Sequence, residues 1–342
     1  MRLVLGVDEA GYGPNLGPFV IALSQWSVGS GFDILEGLAP LNPEFRDRAI
    51  SSLAANSEFI PLGDSKKIYQ PGIGLGGLDL ALRFLGQESS QGVSMAVWGD
   101  ADLKRVESRR WYHPTLAQRW EDKSDLARGQ PVDDSSGESV LFQRGRDKFR
   151  ELGISFEGFR MRIIDEQFFN EECHRCGNKS NVLGEMSLGL VFSNLKRLIE
   201  AGDTPWESVE IYCDRQGGKK RYASLLSYAI GESFPEESNP WIDVLEETPH
   251  VSCYRITVKG VPVTVRFQVD GDSLFPSAAS SMAAKWVREV LMGRLNRYWH
   301  DVTGGQVRAT AGYSVDAHRF ENEITPWLKD LGVKREHWWR LK

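Results

Sequence analysis

The sequence predicts an α/β fold, and three observations support this prediction. Short apolar runs typical of buried strands occur at residues 3–7, 19–23 and 209–214. Longer segments at 181–198 and 278–299 carry apolar residues at helical spacing. Acidic residues follow several of the strand-like runs directly. Strands that alternate with helices in this way favour a sheet covered by helices.

The composition is typical of a soluble globular protein. Of the 342 residues, 41% are hydrophobic and 26% charged, which is enough apolar material for a core. The sequence has neither a run of about 18 apolar residues nor a secretory pattern, so we expect no contact with a membrane. Four cysteines favour a reducing, cytoplasmic location. The net charge of −6 argues against a general attraction to nucleic acid but permits a local basic track.

The first predicted element is a hairpin with a wide, glycine-rich connection. Strand 3–7 ends at Asp8 and Glu9, the segment Gly11–Pro14 follows, and strand 19–23 returns. Two adjacent carboxylates are costly to bury unless a cation neutralises them, and glycines allow a backbone to approach a bulky anion. Acid, metal and phosphate are therefore suggested together. The alternative is a solvated Asp-Glu pair that opens an ordinary turn.

The next part of the chain predicts less regular structure. Residues 61–67 form a loop by composition, and this loop presents two lysines. Residues 90–150 form a polar block, which we interpret as an insertion into a core made of 1–89 and 151–300. Residues 301–342 are predicted as a C-terminal helical extension that packs on this core.

The second half predicts strands and helices with clearer periodicity. A strand, a helix, a strand, a hairpin and two helices are expected in that order. They lie at 159–164, 181–198, 209–214, 254–258 with 261–269, 278–299 and 315–331.

Acids lie at three predicted strand ends. Asp8 and Glu9 follow the first strand, Asp214 ends another, and Asp270 and Asp272 follow a third. Strand ends at one edge of a sheet bring distant side chains together, where several carboxylates would repel one another. Mg²⁺ or Mn²⁺ would remove that conflict, and two such ions can promote phosphodiester cleavage. For each acid taken singly, a turn residue at a strand end is the alternative.

Six short segments match, in order, the motifs of one known family. They are Val7–Pro14 with Gly17 and Pro18, Gly63–Ile68, Asn181–Leu183, Tyr212–Asp214, Gly271–Ser273 with the helix that carries Lys285 and Arg288, and Gly312–Ser314 with His318. The set resembles the type 2 ribonucleases H (ribonuclease HII) and suggests a divergent member.

The resemblance implies a ribonuclease H-like fold, with a mixed five-stranded sheet flanked by helices. It implies hydrolysis of the RNA strand, or of embedded ribonucleotides, in RNA–DNA hybrid duplexes, which leaves 5′-phosphate and 3′-hydroxyl ends. Asp8, Glu9, Asp214 and Asp272 match the catalytic acids that bind Mg²⁺ or Mn²⁺ in the family. Asp270 is the rival for the fourth position.

The resemblance also implies a nucleic-acid interface, for an RNA–DNA hybrid or a duplex that contains ribonucleotides. No protein partner is indicated. For each lysine of this interface the alternative is a solvated surface charge, and for Tyr313 the alternative is a position in the core. The residues are Gly11, Tyr12, Gly13, Ser65, Lys66, Lys67, Lys285 and Tyr313.

Two departures from the family pattern affect the expected substrate. Gly11-Tyr12-Gly13 replaces the usual Gly-Arg-Gly, which helps to recognise a ribonucleotide at an RNA–DNA junction. The tyrosine removes one phosphate-pairing cation but offers a ring for stacking. The block 90–150 is longer than the family requires.

Two other functions stay open at this point. One is a nucleic-acid-binding protein of the same fold with little catalysis, and the other is a nuclease that acts on DNA or structured RNA. Cys173 and Cys176 have the spacing of a zinc knuckle, but no second pair follows, so a structural metal is not favoured.

Overall fold

A seven-stranded sheet forms the centre of the molecule. The computed structural model describes residues 1–46, 48, 58–70, 72–88, 100–112, 137–202, 206–237 and 239–341. Two short strands, β3 (Phe45–Arg46) and β4 (Ile60–Pro61), pair separately. The strands of the main sheet are β1 (Arg2–Ala10), β2 (Phe19–Val28), β5 (Ile154–Ile164), β6 (Val209–Asp214), β7 (Ile242–Glu247), β8 (Val251–Val258) and β9 (Val261–Gln268).

The sheet is mixed, and its strand order is β5-β2-β1-β6-β9-β8-β7. Strands β1, β6 and β9 run parallel to one another, whereas the other neighbouring pairs are antiparallel. The carboxyl ends of the three central strands therefore meet at one edge of the sheet.

Helices cover both faces of this sheet. On one face lie α2 (Gly76–Glu88), α4 (Gly137–Glu151), α8 (Phe275–Val302) and α9 (Ser314–Leu331). On the other lie α5 (Glu166–Cys176), α6 (Lys179–Glu200) and α7 (Ala223–Ser233). Two shorter helices, α1 (Ser65–Ile68) and α3 (Asp100–Glu107), pack against α8 and β5, respectively.

Alternation along the central strands explains the two layers. Successive side chains of a strand point to opposite faces, so a strand that is apolar throughout supplies two cores. In β1, Val4 packs in the core on the α8 face, whereas Leu3 and Leu5 pack in the core on the α6 face. In β2, Trp26 and Leu23 divide in the same way.

The predicted mixed sheet with helices on both faces is confirmed. The sheet has seven strands where five were expected, because β8 and β7 extend it beyond the row β5-β2-β1-β6-β9. The extension starts at a tight turn through Lys259 and Gly260, both at positive φ, which joins β8 to β9.

The described part of block 90–150 packs on the main core. Phe142 and Phe149 of α4 contact Phe84, and Trp26 contacts Phe149. Residues 113–136 lie outside the described residues. The division into core, insertion and extension stays a prediction. No helix in the described ranges is both long enough and apolar enough to span a membrane.

Candidate active site

Four carboxylates from three strand ends approach one another. Asp8 and Glu9 lie near the end of β1, and Asp214 is the last residue of the neighbouring β6. The chain turns after β9, where the Gly271 amide donates to Asp214 Oδ1 over 2.9 Å. A Cβ at Gly271 would lie 2.8 Å from Asp214 Cα, so only glycine permits this approach. The turn then presents Asp272 on the same side.

The pKa values of the first two acids indicate mutual repulsion. Burial, then the charge of Glu9 and finally that of Asp214, raises the pKa of Asp8 well above its usual value, although a hydrogen bond from Ser281 opposes the shift. Burial and the charge of Asp214 raise the pKa of Glu9 to about 7, and Lys66 opposes this shift. Desolvation and like charges therefore act together, as expected for clustered carboxylates.

Asp272 belongs to the same electrostatic cluster. Burial and then the charge of Asp64 raise its pKa to about 6, with a smaller contribution from Asp214, while Lys66 lowers it. Lys66 Nζ lies 3.9 Å from Asp272 Oδ2. Although partial burial lowers the pKa of Lys66, the charges of Asp272, Asp64 and Asp8 raise it overall. One lysine therefore interacts with several acids of the cluster.

Asp8 has a polar support behind it. Ser281 of α8 donates a hydrogen bond to the Asp8 carboxylate, and its hydroxyl lies 3.0 Å from that of Ser65. Ser65 is 4% exposed, so its side chain is buried away from the surface. This polar chain connects α1, α8 and β1 at the centre of the site.

The donor set is suitable for a hard divalent cation. In the described ranges, no group of three or more His, Cys, Asp or Glu side chains is arranged so that it could hold a metal ion. Mg²⁺ does not require such a group, because it commonly binds one or two carboxylates and completes its shell with water and substrate phosphates. Buried carboxylates that raise one another's pKa values also gain from a cation that removes their repulsion. Asp8, Glu9, Asp214 and Asp272 therefore fit Mg²⁺ or Mn²⁺ in charge and ligand type.

Gly11 and Gly13 shape the backbone beside the acids. Gly11 has φ of +85°, and a Cβ there would lie 2.5 Å from Arg288 Nε. Gly13 lies close to Tyr313, whose Cε1 would be 4.0 Å from a Cβ at that glycine. Tyr313 is 54% exposed, and the Arg288 guanidinium lies 5.9 Å from its ring centroid. The glycine segment and an exposed tyrosine ring therefore form one surface.

Tyr12 packs against the start of α6. Its ring lies 5.9 Å from that of Phe19, and Lys179 Nζ lies 4.8 Å from its ring centroid. Burial, together with the charge of Glu9, raises the pKa of its hydroxyl, which is hydrogen bonded to Ser180. Tyr12 is thus half-buried near the acids, with a cation on its ring.

The predicted lysines differ in their surroundings. The Lys66 side chain is 84% exposed, and Lys67 is exposed beside it on α1. Lys285 Nζ, by contrast, pairs with Glu289 Oε1 at 2.8 Å and lies 4.6 Å from the ring centroid of Tyr69. Lys66 and Lys67 are therefore the more accessible cations of the predicted set.

The structure reveals two residues at the site to which sequence analysis assigned no role. Ser281 lies in the helix that the resemblance includes, so a signal was present, but only the fold shows that it contacts Asp8. Arg288, which the matching motif includes, approaches Gly11. Lys179 carried no signal, because its position near Tyr12 depends on how α6 packs. Of the discounted cysteines, Cys173 is buried, and Cys176 Sγ donates to Glu185 Oε2 over 3.4 Å.

Comparisons with known proteins find similarity to solved structures alone. No protein-family model and no curated protein matches the chain. Ribonuclease H2 from Pyrococcus horikoshii OT3 is 15% identical with a TM-score of 0.40, over 98% of this chain and 92% of that one. Ribonuclease HII of Archaeoglobus fulgidus, in a complex with PCNA, is 15% identical with a TM-score of 0.38, over 100% and 92%.

Proposed function

We propose that this chain is a divergent ribonuclease HII-like endonuclease that depends on divalent metal ions. Its substrates would be the RNA strand, or embedded ribonucleotides, of RNA–DNA hybrid duplexes, and its products would carry 5′-phosphate and 3′-hydroxyl ends. The convergence of Asp8, Glu9, Asp214 and Asp272, with electrostatic coupling among them, is the observation that carries this proposal.

The four acids would bind Mg²⁺ or Mn²⁺. Such ions supply an activated water and stabilise the charge on a departing oxygen when they are bound. Asp8 is supported by Ser281, and Asp214 accepts the Gly271 amide, so both carboxylates are oriented before any ligand arrives. Lys66 reduces the repulsion among the acids and offers a positive charge to a phosphate.

Recognition of the substrate would rest on the glycine segment and the tyrosine beside it. Gly11 and Gly13 leave backbone groups accessible to a sugar or phosphate, and Tyr313 offers an exposed ring next to them. A contact at the ribose allows a protein to distinguish RNA from DNA through the 2′-hydroxyl. Lys66 and Lys67 would contact the phosphate backbone, whereas the buried hydroxyl of Ser65 contacts that of Ser281, which supports Asp8.

A cleavage panel tests this function. A labelled RNA–DNA hybrid, a duplex with one embedded ribonucleotide and an all-DNA duplex are incubated with Mg²⁺ or Mn²⁺. The wild type is expected to cut the first two, and Asp272→Asn to lose at least about 100-fold in rate, because a charged ligand is removed. Asp270→Asn is the matched control. Asp270 lies two residues away at φ of +54°, where asparagine is well tolerated, so this variant should keep most activity.

Asp8→Asn extends the test to the first strand. Equal cleavage by the wild type and Asp8→Asn would eliminate the assignment of the acids. Loss of activity in Asp270→Asn but not in Asp272→Asn would transfer the fourth role to Asp270.

A second candidate function keeps the nuclease chemistry but changes the substrate. It is favoured by Tyr12, which stands where the family that the sequence resembles has an arginine. Tyr12 is hydrogen bonded to Ser180, and Lys179 lies over its ring. The same panel separates the two, because preferential cleavage of the all-DNA duplex would support the second candidate.

A further inference from the structure

The last described residues of the chain lie across the glycine-rich connection between β1 and β2. The Arg340 amide donates to the Asn15 carbonyl over 2.8 Å, and its guanidinium donates to the Pro14 carbonyl. Asn15 Nδ2 donates to the Arg340 carbonyl over 3.4 Å. Residues 14–17, which we call the loop, therefore make reciprocal hydrogen bonds with Arg340.

The segment around Arg340 is itself fixed to the core. Asn170 of α5 donates to the carbonyls of Glu336 and Trp339 at 2.9 and 2.8 Å, and its Oδ1 accepts the Leu341 amide over 2.7 Å. The Arg340 guanidinium packs 4.9 Å from the ring centroid of Phe169. Arg340 thus acts on the loop from a rigid base.

Two further contacts fix the loop. The amides of Asn15 and Leu16 donate to the Gly312 carbonyl at 2.8 and 3.3 Å, and the Gly17 amide donates to Glu166 Oε1 over 3.1 Å. Because Gly312 precedes Tyr313 directly, the loop and the exposed tyrosine are connected through the backbone. The position of Gly13 relative to Tyr313 therefore depends on these contacts.

Arg340 is an expensive residue to bury. It is 1% exposed, and its Nε and Nη1 have no hydrogen-bond partner in the described part of the chain. Burial, followed by the charge of Arg288, lowers its pKa to about 10, with Glu166 opposing the shift. A buried, incompletely paired guanidinium adds little to stability, whereas an apolar side chain of similar length would fill the same space. Arg340 therefore contributes more by holding the loop in position than by stabilising the fold.

We propose that Arg340 is a positioning residue, which sets the glycine segment 11–13 against Tyr313 through the loop. This inference rests on the proposed function for its catalytic consequence, but the arrangement of the loop can be tested without substrate. The Arg340 guanidinium donates to the Pro14 carbonyl at one end of the loop, while Glu166 accepts the Gly17 amide at the other end. Loss of Arg340 would leave the acids intact and allow the substrate-contacting surface to move.

Hydrogen–deuterium exchange of the full chain tests the placement directly. In Arg340→Met, the amides of Gly13, Asn15, Leu16 and Gly17 should exchange about tenfold faster or more, because a hydrogen bond from a charged donor to the loop is lost. Peptides from β6 should exchange as in the wild type. Arg335→Met is the matched control, because Arg335 lies on the same segment but directs its guanidinium to Glu321 and to the ring of Trp339 instead of the loop. Arg340→Lys keeps the charge and should restore part of the protection.

Steady-state cleavage of the ribonucleotide-containing duplex supplies the second readout. Arg340→Met should raise KM about tenfold and change kcat by less than about twofold, because the loop contributes binding and the acids contribute chemistry. Unchanged loop exchange, or faster exchange that includes β6 equally, would overturn the inference. Asn15→Ala, measured in parallel, removes a second contact between the loop and Arg340 and should also speed exchange of the loop amides. If Arg340→Met fails to fold, Asn15→Ala still decides the test.

The two proposals fail separately. A wild-type chain that cleaves no duplex overturns the proposed nuclease, while the exchange data still decide whether Arg340 positions the loop. An active wild type whose loop exchange and KM are insensitive to Arg340→Met overturns the positioning role and leaves the nuclease in place.

Discussion

At the scale of single residues, the site combines charges that oppose folding. Asp8, Glu9 and Asp272 are carboxyl groups whose pKa values lie above their usual range, chiefly because they are buried. Such groups destabilise the metal-free protein at neutral pH, since the folded state disfavours the charged form. Stored repulsion of this kind is common at functional sites and is removed by a ligand of opposite charge.

The pH dependence of stability should report this repulsion. Because the folded pKa of Glu9 is raised to about 7, the folded state binds more protons than the unfolded state between about pH 4.5 and 7. Metal-free wild type should therefore lose stability as the pH rises through this window. Glu9→Gln should remove part of the loss and be more stable than the wild type at pH 8, by of order 2 kcal/mol. Chemical denaturation in EDTA at several pH values measures this.

Glu207→Gln is the control for this prediction. Glu207 is exposed and pairs with the amino terminus, so its replacement should leave the pH profile close to that of the wild type. A Glu9→Gln variant that follows the wild-type profile would contradict the repulsion inferred here.

Much of the candidate site could be predicted at this scale, for a definite reason. Asp8, Glu9 and Asp214 end strands that periodicity identifies, and parallel neighbours bring their ends together. Their catalytic role stays a prediction. Arg340 could not be anticipated, because its proximity to the loop depends on how a segment more than 300 residues away folds back. The burial of Ser65 likewise depends on the packing of α1 against α8.

At the scale of elements, the close packing of α8 on β1 and β2 sets the depth of the site. Gly6 of β1 accepts a hydrogen bond from Ser280 Oγ over 2.9 Å, and Ser24 Oγ of β2 donates to the Pro276 carbonyl over 2.7 Å. Small residues at the start of α8 allow this approach. Ser281, which supports Asp8, lies on the same turn of the helix, so its position depends on this contact.

Gly6→Ala should disrupt this packing. A Cβ at this position would overlap the Pro276 backbone and lie 2.5 Å from the Ser277 amide nitrogen. We expect a loss of about 1–3 kcal/mol in the free energy of unfolding, as for other overpacked sites. Activity should fall as well, because Ser281 would shift away from Asp8. Urea denaturation and the cleavage assay measure the two effects.

Gly293→Ala is the matched control on the same helix. Apart from its chain neighbours and the backbone of its own helix, a Cβ there would have no atom of the described residues within 4 Å, so the variant should gain about 0.5–1 kcal/mol from helix propensity. Equal stability of the two variants would contradict the proposed packing constraint at β1.

Elements with strong periodicity were the ones that the sequence predicted. The β1–β2 hairpin, α6, α8, α9 and the β8–β9 hairpin all occur near their expected positions. Strand β7 was not predicted, because several of its side chains are exposed on either face and no alternation marks it. Helices α5 and α7 were also missed. They are short amphipathic helices that are stabilised by packing on the sheet, and neither is long enough to show a clear helical period in the sequence.

At the scale of the whole molecule, charge is separated despite the acidic total. The net charge is −6, yet exposed Lys66 and Lys67 lie together on α1 beside the acids. A local pair of cations next to the proposed metal site can guide a polyanion that the rest of the surface repels. Under the proposed function, binding of duplexes is therefore expected to depend on a few cations and to weaken with salt.

The salt dependence of duplex binding tests this view. The test uses the Asp8→Asn background, in which the bound strand should stay intact. Here Lys67→Gln should make the negative slope of log K against log salt less steep by about 1, the value expected for one phosphate contact. Fluorescence anisotropy with a labelled hybrid measures it. Lys196→Gln is the control, because Lys196 pairs with Glu200 about 25 Å along α6 from the start of that helix. Equal slopes for both variants would remove Lys67 from the interface.

The contact between Arg340 and the loop has a consequence for biosynthesis. The ribosome produces residues 14–17 long before Arg340, and at typical rates of translation roughly 15 to 65 s separate the two. During this interval the acids of β1 and β6 can already assemble, but the contacts between Arg340 and the loop cannot yet form. Under the proposed function, a nascent chain would thus assemble its strand-end carboxylates before its duplex-binding surface is fixed.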